Sequence, residues 1–240
     1  LSSAASDVYK RQILLCLPVF AGEYGVYRPD NYKYSQTNGE MTLFILDFSN
    51  SMTEYLDGVS KLDLMLSTMR QILPSIDKNS LIGLRVYGHK MGFTPVDSCR
   101  ASSLIVPITK SNSVNIMNSL GSVHPRGMTP ITYSLKEAVK NDFIGFTGKK
   151  HIILLTDGGE NCDESPCKYV MELIKVRRDV SIDVIAFNID NPDDLDQLEC
   201  TALVTSGKFY TANTAAELAR SLNSSLNAHK EVEAKIIPNH

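Results

Sequence analysis

The chain has 240 residues, 43% of them apolar and 21% charged, with a formal net charge of −3. It is long enough for one sizeable core, and with no block of Lys or Arg it exerts no general pull on nucleic acid or acidic membrane surfaces. No apolar run approaches the ~20 residues of a membrane-spanning helix, so no direct membrane insertion of the mature domain is expected.

In chain order, the opening Leu1-Ser2-Ser3-Ala4-Ala5-Ser6-Asp7 is polar and low in information, and residues 1–12 resemble translated adaptor sequence. Lys10-Arg11, the apolar stretch 13–20 and Val19-Phe20-Ala21 then read as the tail of a secretory signal peptide cleaved after Ala21; an ordinary buried strand is the alternative. Residues 1–21 are therefore set apart as leader and signal remnant. Residues 22–40, with Tyr24, Tyr27, Tyr32 and Tyr34 among Gly, Pro, Asp and Asn, form a lead-in. One main domain is expected over 41–228, followed by an extension, 229–240, past which the natural chain is expected to continue.

The cysteines fit export to a secreted or periplasmic location. Cys16 leaves with the signal, and Cys99, Cys162, Cys167 and Cys200 remain, an even number suited to two disulfides. Four cysteines allow three pairings, and nearness in sequence favours a local Cys162–Cys167 bridge. A zinc site built from all four is the rival, but no Cys-x-x-Cys pair is present.

Strand-like apolar runs fall at 41–46, 81–87, 103–107, 151–156, 181–187 and 208–211. Leu62, Met65, Leu66, Met69, Ile72 and Leu73 repeat with helical period, as expected of a face buried on a sheet. Further helices are expected at 113–120, 130–140, 165–177, 192–206 and 214–226. This alternation predicts an α/β, doubly wound sheet. Runs 81–87 and 103–107 are joined by a segment too short and polar for a crossover helix, so they are expected to form a hairpin with one antiparallel edge strand.

In Asp47-Phe48-Ser49-Asn50-Ser51-Met52 an acid and two hydroxyls recur at every second residue where the first strand ends. That is the spacing of an oxygen-lined metal site. Thr129, in Gly127-Met128-Thr129-Pro130, and Asp157, ending the run 151–156, add two more oxygen donors. Taken singly, Ser49, Asp47 and Thr129 have a plainer reading as helix caps, and Thr129 precedes a proline suited to a first helical position. His89 and His124 read as polar surface. Asp190, Asp193, Asp194 and Asp196 read as acids favoured at a helix start.

The five residues Asp47, Ser49, Ser51, Thr129 and Asp157 resemble the metal-ion-dependent adhesion site, MIDAS, of von Willebrand factor type A (VWA) domains. The resemblance covers roughly residues 40–228. Tyr87-Gly88-His89, Cys99, Arg126-Gly127-Met128-Thr129-Pro130-Ile131, Thr156-Asp157-Gly158-Gly159-Glu160-Asn161-Cys162 and Pro166-Cys167 resemble a bacterial exported subgroup. The likeness implies a six-stranded, mostly parallel sheet with one antiparallel edge strand and helices on both faces. It implies Mg²⁺, with Mn²⁺ or Ca²⁺ as substitutes, bound directly by Ser49 and Ser51, directly or through water by Thr129, and mainly through water or hydrogen bonds by Asp47 and Asp157. A cation with few anionic ligands stays electron-poor, and an Asp or Glu carboxylate of a partner protein is then expected to complete its shell. Phe48 and Asn50 stand where the family usually has smaller residues, and Gly158 and Gly159 are expected to turn the chain tightly after Asp157.

An enzyme is the rival class. An aspartate phosphotransferase needs a second acid at the position of Ser49. Gly-x-Ser-x-Gly is absent around Ser49 and Ser51, and no phosphate-binding glycine motif occurs. A purely structural metal site is the third class; it differs from an adhesion site in having every ligand position closed by protein groups.

Overall fold

The computed structural model describes residues 40–234. The leader, the signal remnant, nearly all of the lead-in and the last residues of the extension lie outside them. The chain divides into two units, Leu1–Tyr34 and Ser35–His240, and the described residues belong to the second.

Six strands form the main sheet: β1 Met41–Asp47, β4 Leu81–Tyr87, β5 Ser102–Thr109, β6 Lys150–Thr156, β7 Val180–Phe187 and β8 Phe209–Ala212, in the order β5-β4-β1-β6-β7-β8. All neighbours are parallel except β4 and β5, which pair antiparallel at one edge. The expected fold class is the observed one. A small antiparallel hairpin, β2 Tyr55–Leu56 and β3 Val59–Ser60, was not anticipated. It turns on Asp57-Gly58, both with positive φ (52° and 84°), the Asp-Gly signal of a tight hairpin.

The helices are α1 Lys61–Ile72, α2 Pro95–Ser98, α3 Ser113–Leu120, α4 Ile131–Glu137, α5 Pro166–Val176, α6 Pro192–Val204 and α7 Ala215–Ala234. Helix α7 runs on through the boundary expected at 228. The expected helix 130–140 is divided into α4 and a wider turn, 138–142. There Asp142 accepts two hydrogen bonds from the buried Arg85 of β4, at 2.6 and 2.7 Å. Helix α2 is a single turn inside the β4–β5 connection, closed by a capping box between Thr94 and Asp97.

Alternation along the strands divides the core. Phe44 and Leu46 of β1 and Ile153 and Leu155 of β6 pack with Met65, Met69, Ile116 and Leu218 of α1, α3 and α7. The other face carries α4, α5 and α6. The stripe on α1 behaves as expected: Met65, Leu66, Met69 and Ile72 are buried, each contributing about 1.5–3 kcal/mol. Helix α1 starts where Ser60 Oγ accepts the Asp63 N–H at 3.0 Å. The acidic run also behaves as expected, with Asn191 capping α6 and Asp193 and Asp194 in its first turn.

Because β1 leads to α1 on one face and β6 leads to α5 on the other, the connections diverge between two adjacent strands. In an open α/β sheet that divergence opens a crevice at the carboxyl edge. Asp47 and Asp157 stand on its two sides.

Candidate metal centre

Asp47 is the last residue of β1 and Asp157 follows the last residue of β6; both are buried. Asp47 Oδ1 accepts the Ser49 N–H at 2.7 Å, which folds the chain back after the strand. Its other oxygen accepts from the Tyr87 hydroxyl at 3.0 Å and lies 2.8 Å from the Thr156 hydroxyl. The hydroxyls of Ser49 and Ser51 are 2.9 Å apart, and Ser51 Oγ donates to Asp157 Oδ1 at 2.6 Å. Lys61, buried at the start of α1, donates to Asp157 Oδ2 at 3.1 Å and to Glu54 at 2.8 Å.

Four of the five expected residues are thus linked side chain to side chain or through one backbone bond. Thr129 arrives by the backbone. Ser49 and Gly127 form an isolated parallel bridge, and Asn50 N–H donates to the Gly127 carbonyl at 3.2 Å. Asn161 Oδ1 accepts the Thr129 N–H at 2.7 Å, so the segment after β6 holds the Thr129 turn from the other side. Glycine is required at Gly88, whose φ is +69° and where a Cβ would stand 2.5 Å from the Ser49 nitrogen.

The cap reading fails for both hydroxyl residues. Ser49 precedes a short 3₁₀ turn, Asn50–Thr53, without capping it by its side chain, and α4 is preceded by Pro130 rather than capped by Thr129. Phe48, larger than expected, is buried in the core beside Met52. Asn50 sits in the 3₁₀ turn and has no positive φ. Gly158 and Gly159 also lack one; a Cβ at Gly159 would displace the Asp194 side chain, and one at Gly158 would meet nothing within 4 Å.

The electrostatics show a shortage of positive charge. Burial, and then the neighbouring Asp157, push the Asp47 carboxyl up to about 6, against the opposing hydrogen bonds of Ser49 and Thr156. Burial also raises Asp157, in spite of Ser51 and Lys61. The Lys61 ammonium is divided between Asp157 and Glu54. Among the described residues no trio of His, Cys, Asp and Glu is grouped to hold a metal. Any cation here therefore rests on hydroxyl as well as carboxylate oxygens.

Lys61, Tyr87, Thr156 and Asn161 were not singled out from sequence as parts of this site. Tyr87, Thr156 and Asn161 carried a signal only by standing in the motifs of the family resemblance, and Lys61 carried none. His89 departs from the surface reading: it is half-buried, its ring nitrogens meet no partner among the described residues, and burial pushes it down to about 4. His124 is exposed, as expected.

The expected Cys162–Cys167 bridge is corrected. The disulfides join Cys99 to Cys162 and Cys167 to Cys200. Ser165 caps α5 between Cys162 and Cys167, so Cys167 is committed to a helix that packs on α6 while Cys162 stays in the loop facing the β4–β5 connection. Among the described residues no helix is long and apolar enough to cross a membrane.

Comparison with known proteins agrees with this architecture. YwmC of Bacillus subtilis (strain 168) is 30% identical over 180 residues, covering 73% of this chain and 78% of its own. YwmD of the same organism is 27% identical over 220 residues, covering 89% and 92%. Both are described as uncharacterized. Among solved structures, proximal thread matrix protein 1 from the mussel byssus, with a zinc-occupied MIDAS motif, superposes with a TM-score of 0.61 at 20% identity. The match covers 80% of this chain but 46% of that one. The vWF domain of the type V pili tip protein Mfa5 from Porphyromonas gingivalis gives 0.57 at 14% identity, covering 84% and 97%. The model of the von Willebrand factor type A domain matches residues 43–224, and the chain belongs to that family.

Proposed function

We propose that this VWA domain is a non-enzymatic, exported binding module in which Asp47, Ser49, Ser51, Thr129 and Asp157 hold a divalent cation, Mg²⁺ in the first instance, that engages a carboxylate of a partner protein. VWA domains are modules commonly used for metal-dependent protein binding. Two disulfides support an oxidising location.

The observation that carries this reading is the arrangement of oxygens. An octahedral shell with bonds of about 2.0–2.1 Å places neighbouring oxygens about 2.9 Å apart. The Ser49 and Ser51 hydroxyls have that separation and cap nothing. Both oxygens of Asp47 and both of Asp157 are already held by protein donors. The two acids are thereby suited to orient water and hydroxyls around a cation rather than to surround it with negative charge. When bound, the cation supplies a Lewis-acidic open position for an anionic oxygen. Ser49 and Ser51 present neutral oxygens, Asp47 fixes the loop that carries them, and Lys61 fixes Asp157.

The test is calorimetric titration of Mg²⁺ and Mn²⁺ into the wild type and Asp157→Ala, with and without acetate. Saturable binding, absent in Asp157→Ala and strengthened by acetate, is expected. Binding that acetate leaves unchanged indicates a closed, structural metal; no binding in the wild type removes the reading.

A further inference from the structure

Lys61 stands against its local preferences. It is the first residue of α1, and its side chain is only 6% exposed. A lysine is rarely buried unless it is paired, and the first turn of a helix disfavours a cation. Asp63, in the same turn beside the Ser60 cap, is the residue that such a position suits. What places Lys61 is the chain that precedes it. Glu54 ends the 3₁₀ turn after Ser49, the β2–β3 hairpin follows, and the Lys61 N–H donates to the Glu54 carbonyl at 2.9 Å where the hairpin closes. The hairpin thus returns Lys61 to the loop that carries the two serines. Its ammonium reaches Glu54 Oε2 at 2.8 Å, on a side chain that is 65% exposed, and Asp157 Oδ2 at 3.1 Å, on a side chain that is fully buried.

The two contacts differ in consequence. Water screens the charge of Glu54, whereas the Lys61–Asp157 pair is buried and little screened. The oxygens of Asp157 are divided, Oδ1 accepting from Ser51 Oγ at 2.6 Å and Oδ2 from Lys61. A fixed positive charge therefore lies one carboxylate away from a hydroxyl assigned to the cation. It opposes a divalent cation drawn to the same acid. It also favours the anion that follows, because a partner's carboxylate arriving here meets the buried charges of Asp47 and Asp157, and Lys61 offsets the second.

We propose that Lys61 is a specificity-determining residue of the metal site: as a resident cation on Asp157 it weakens divalent-ion binding in the absence of a ligand and makes tight binding depend on a carboxylate, so that metal and partner bind together. Glu54, drawing on the same ammonium from the solvent side, moderates this coupling. The proposal rests on the metal-dependent reading above and names how that site is regulated. By linkage, the factor by which a carboxylate tightens Mg²⁺ binding is also the factor by which Mg²⁺ tightens carboxylate binding.

The test is calorimetric titration of Mg²⁺ into the full chain as wild type, Lys61→Met and Glu54→Gln, with and without acetate. The readout is the ratio of the two Kd values, which a general loosening of the site leaves unmoved. Lys61→Met keeps an unbranched side chain and removes its charge; Mg²⁺ alone is expected to bind about tenfold more tightly, and the acetate enhancement to disappear. Glu54→Gln, at an exposed side chain, leaves the ammonium to Asp157; Mg²⁺ alone is expected to bind about threefold more weakly, and the acetate enhancement to grow. If Lys61 only pins Asp157, Lys61→Met weakens Mg²⁺ binding and the ratio holds in both variants, which overturns the proposal. Should Lys61→Met fail to fold, the ratio in Glu54→Gln decides alone. Wild-type Mg²⁺ binding that acetate leaves unchanged also overturns it, with the metal itself retained; no Mg²⁺ binding in the wild type fails the metal reading first and this proposal with it.

Discussion

Asp47 and Asp183 are both fully buried aspartates, and each is reached by three hydrogen-bonding or charged neighbours. Asp183, within β7, accepts from Lys208 N–H at 2.8 Å and Ser225 Oγ at 2.7 Å, and His151 Nε2 lies 3.2 Å away. Burial pushes Asp183 up, but His151, Ser225 and the Lys208 amide outweigh it and its carboxyl ends below the ordinary value. Asp47 ends above, at about 6. Hydrogen-bond number does not separate them: at Asp47 burial wins and Asp157 adds to it, whereas at Asp183 the neighbours, His151 first, outweigh burial. The His151 imidazole faces Asp183, whereas a second carboxylate, Asp157, is the charged neighbour that raises Asp47. One cluster ties the sheet to α7 through Ser225, and the other joins two buried acids with Lys61 reaching Asp157.

Removing the Cys99–Cys162 bridge by paired Cys→Ser substitution is expected to cost about 4 kcal/mol in urea unfolding. It should also weaken Mg²⁺ binding, because Asn161, beside Cys162, holds the Thr129 turn. Asp183→Ala strands Ser225, His151 and the Lys208 amide, and is expected to cost about 3 kcal/mol with Mg²⁺ affinity unchanged. Loss of metal binding in that variant would make the two clusters one. The smallest effect is in pH. The folded carboxyl of Asp183 lies below its ordinary 3.8, so its contribution is fully present above that value and lost as pH falls toward the folded one. Asp183→Asn should flatten that part of the stability profile below pH 4, measured by denaturant midpoints.

The sheet and its helices were legible because each rests on a local pattern: the apolar runs at 41–46 and 151–156 and the period of Met65, Leu66, Met69 and Ile72. That Asp47, Ser49, Ser51 and Asp157 come together was legible because spacing and strand ends coincide; Thr129, which ends no strand, joined the expected set through the family resemblance. Lys61 was not, since nothing in sequence tells a lysine at a helix start to turn inward to an acid 96 residues later. The Asp57-Gly58 hairpin was missed because its strands are two residues each, too short for alternation to show. The disulfide pairing failed because nearness along the chain does not measure nearness across a sheet edge; Cys99 and Cys162 are 63 residues apart in sequence yet have Cα atoms at 5.5 Å.

Those two bridges lie in series. Cys162 and Cys167 are five positions apart, so covalent bonds run from the β4–β5 loop through Cys99, a short stretch of backbone and Cys200 into α6. A pull applied at Phe93 has a route into the helical layer that crosses no hydrogen bond. Tension on the β4–β5 loop is thereby shunted into α6, past Thr129 and the serine hydroxyls.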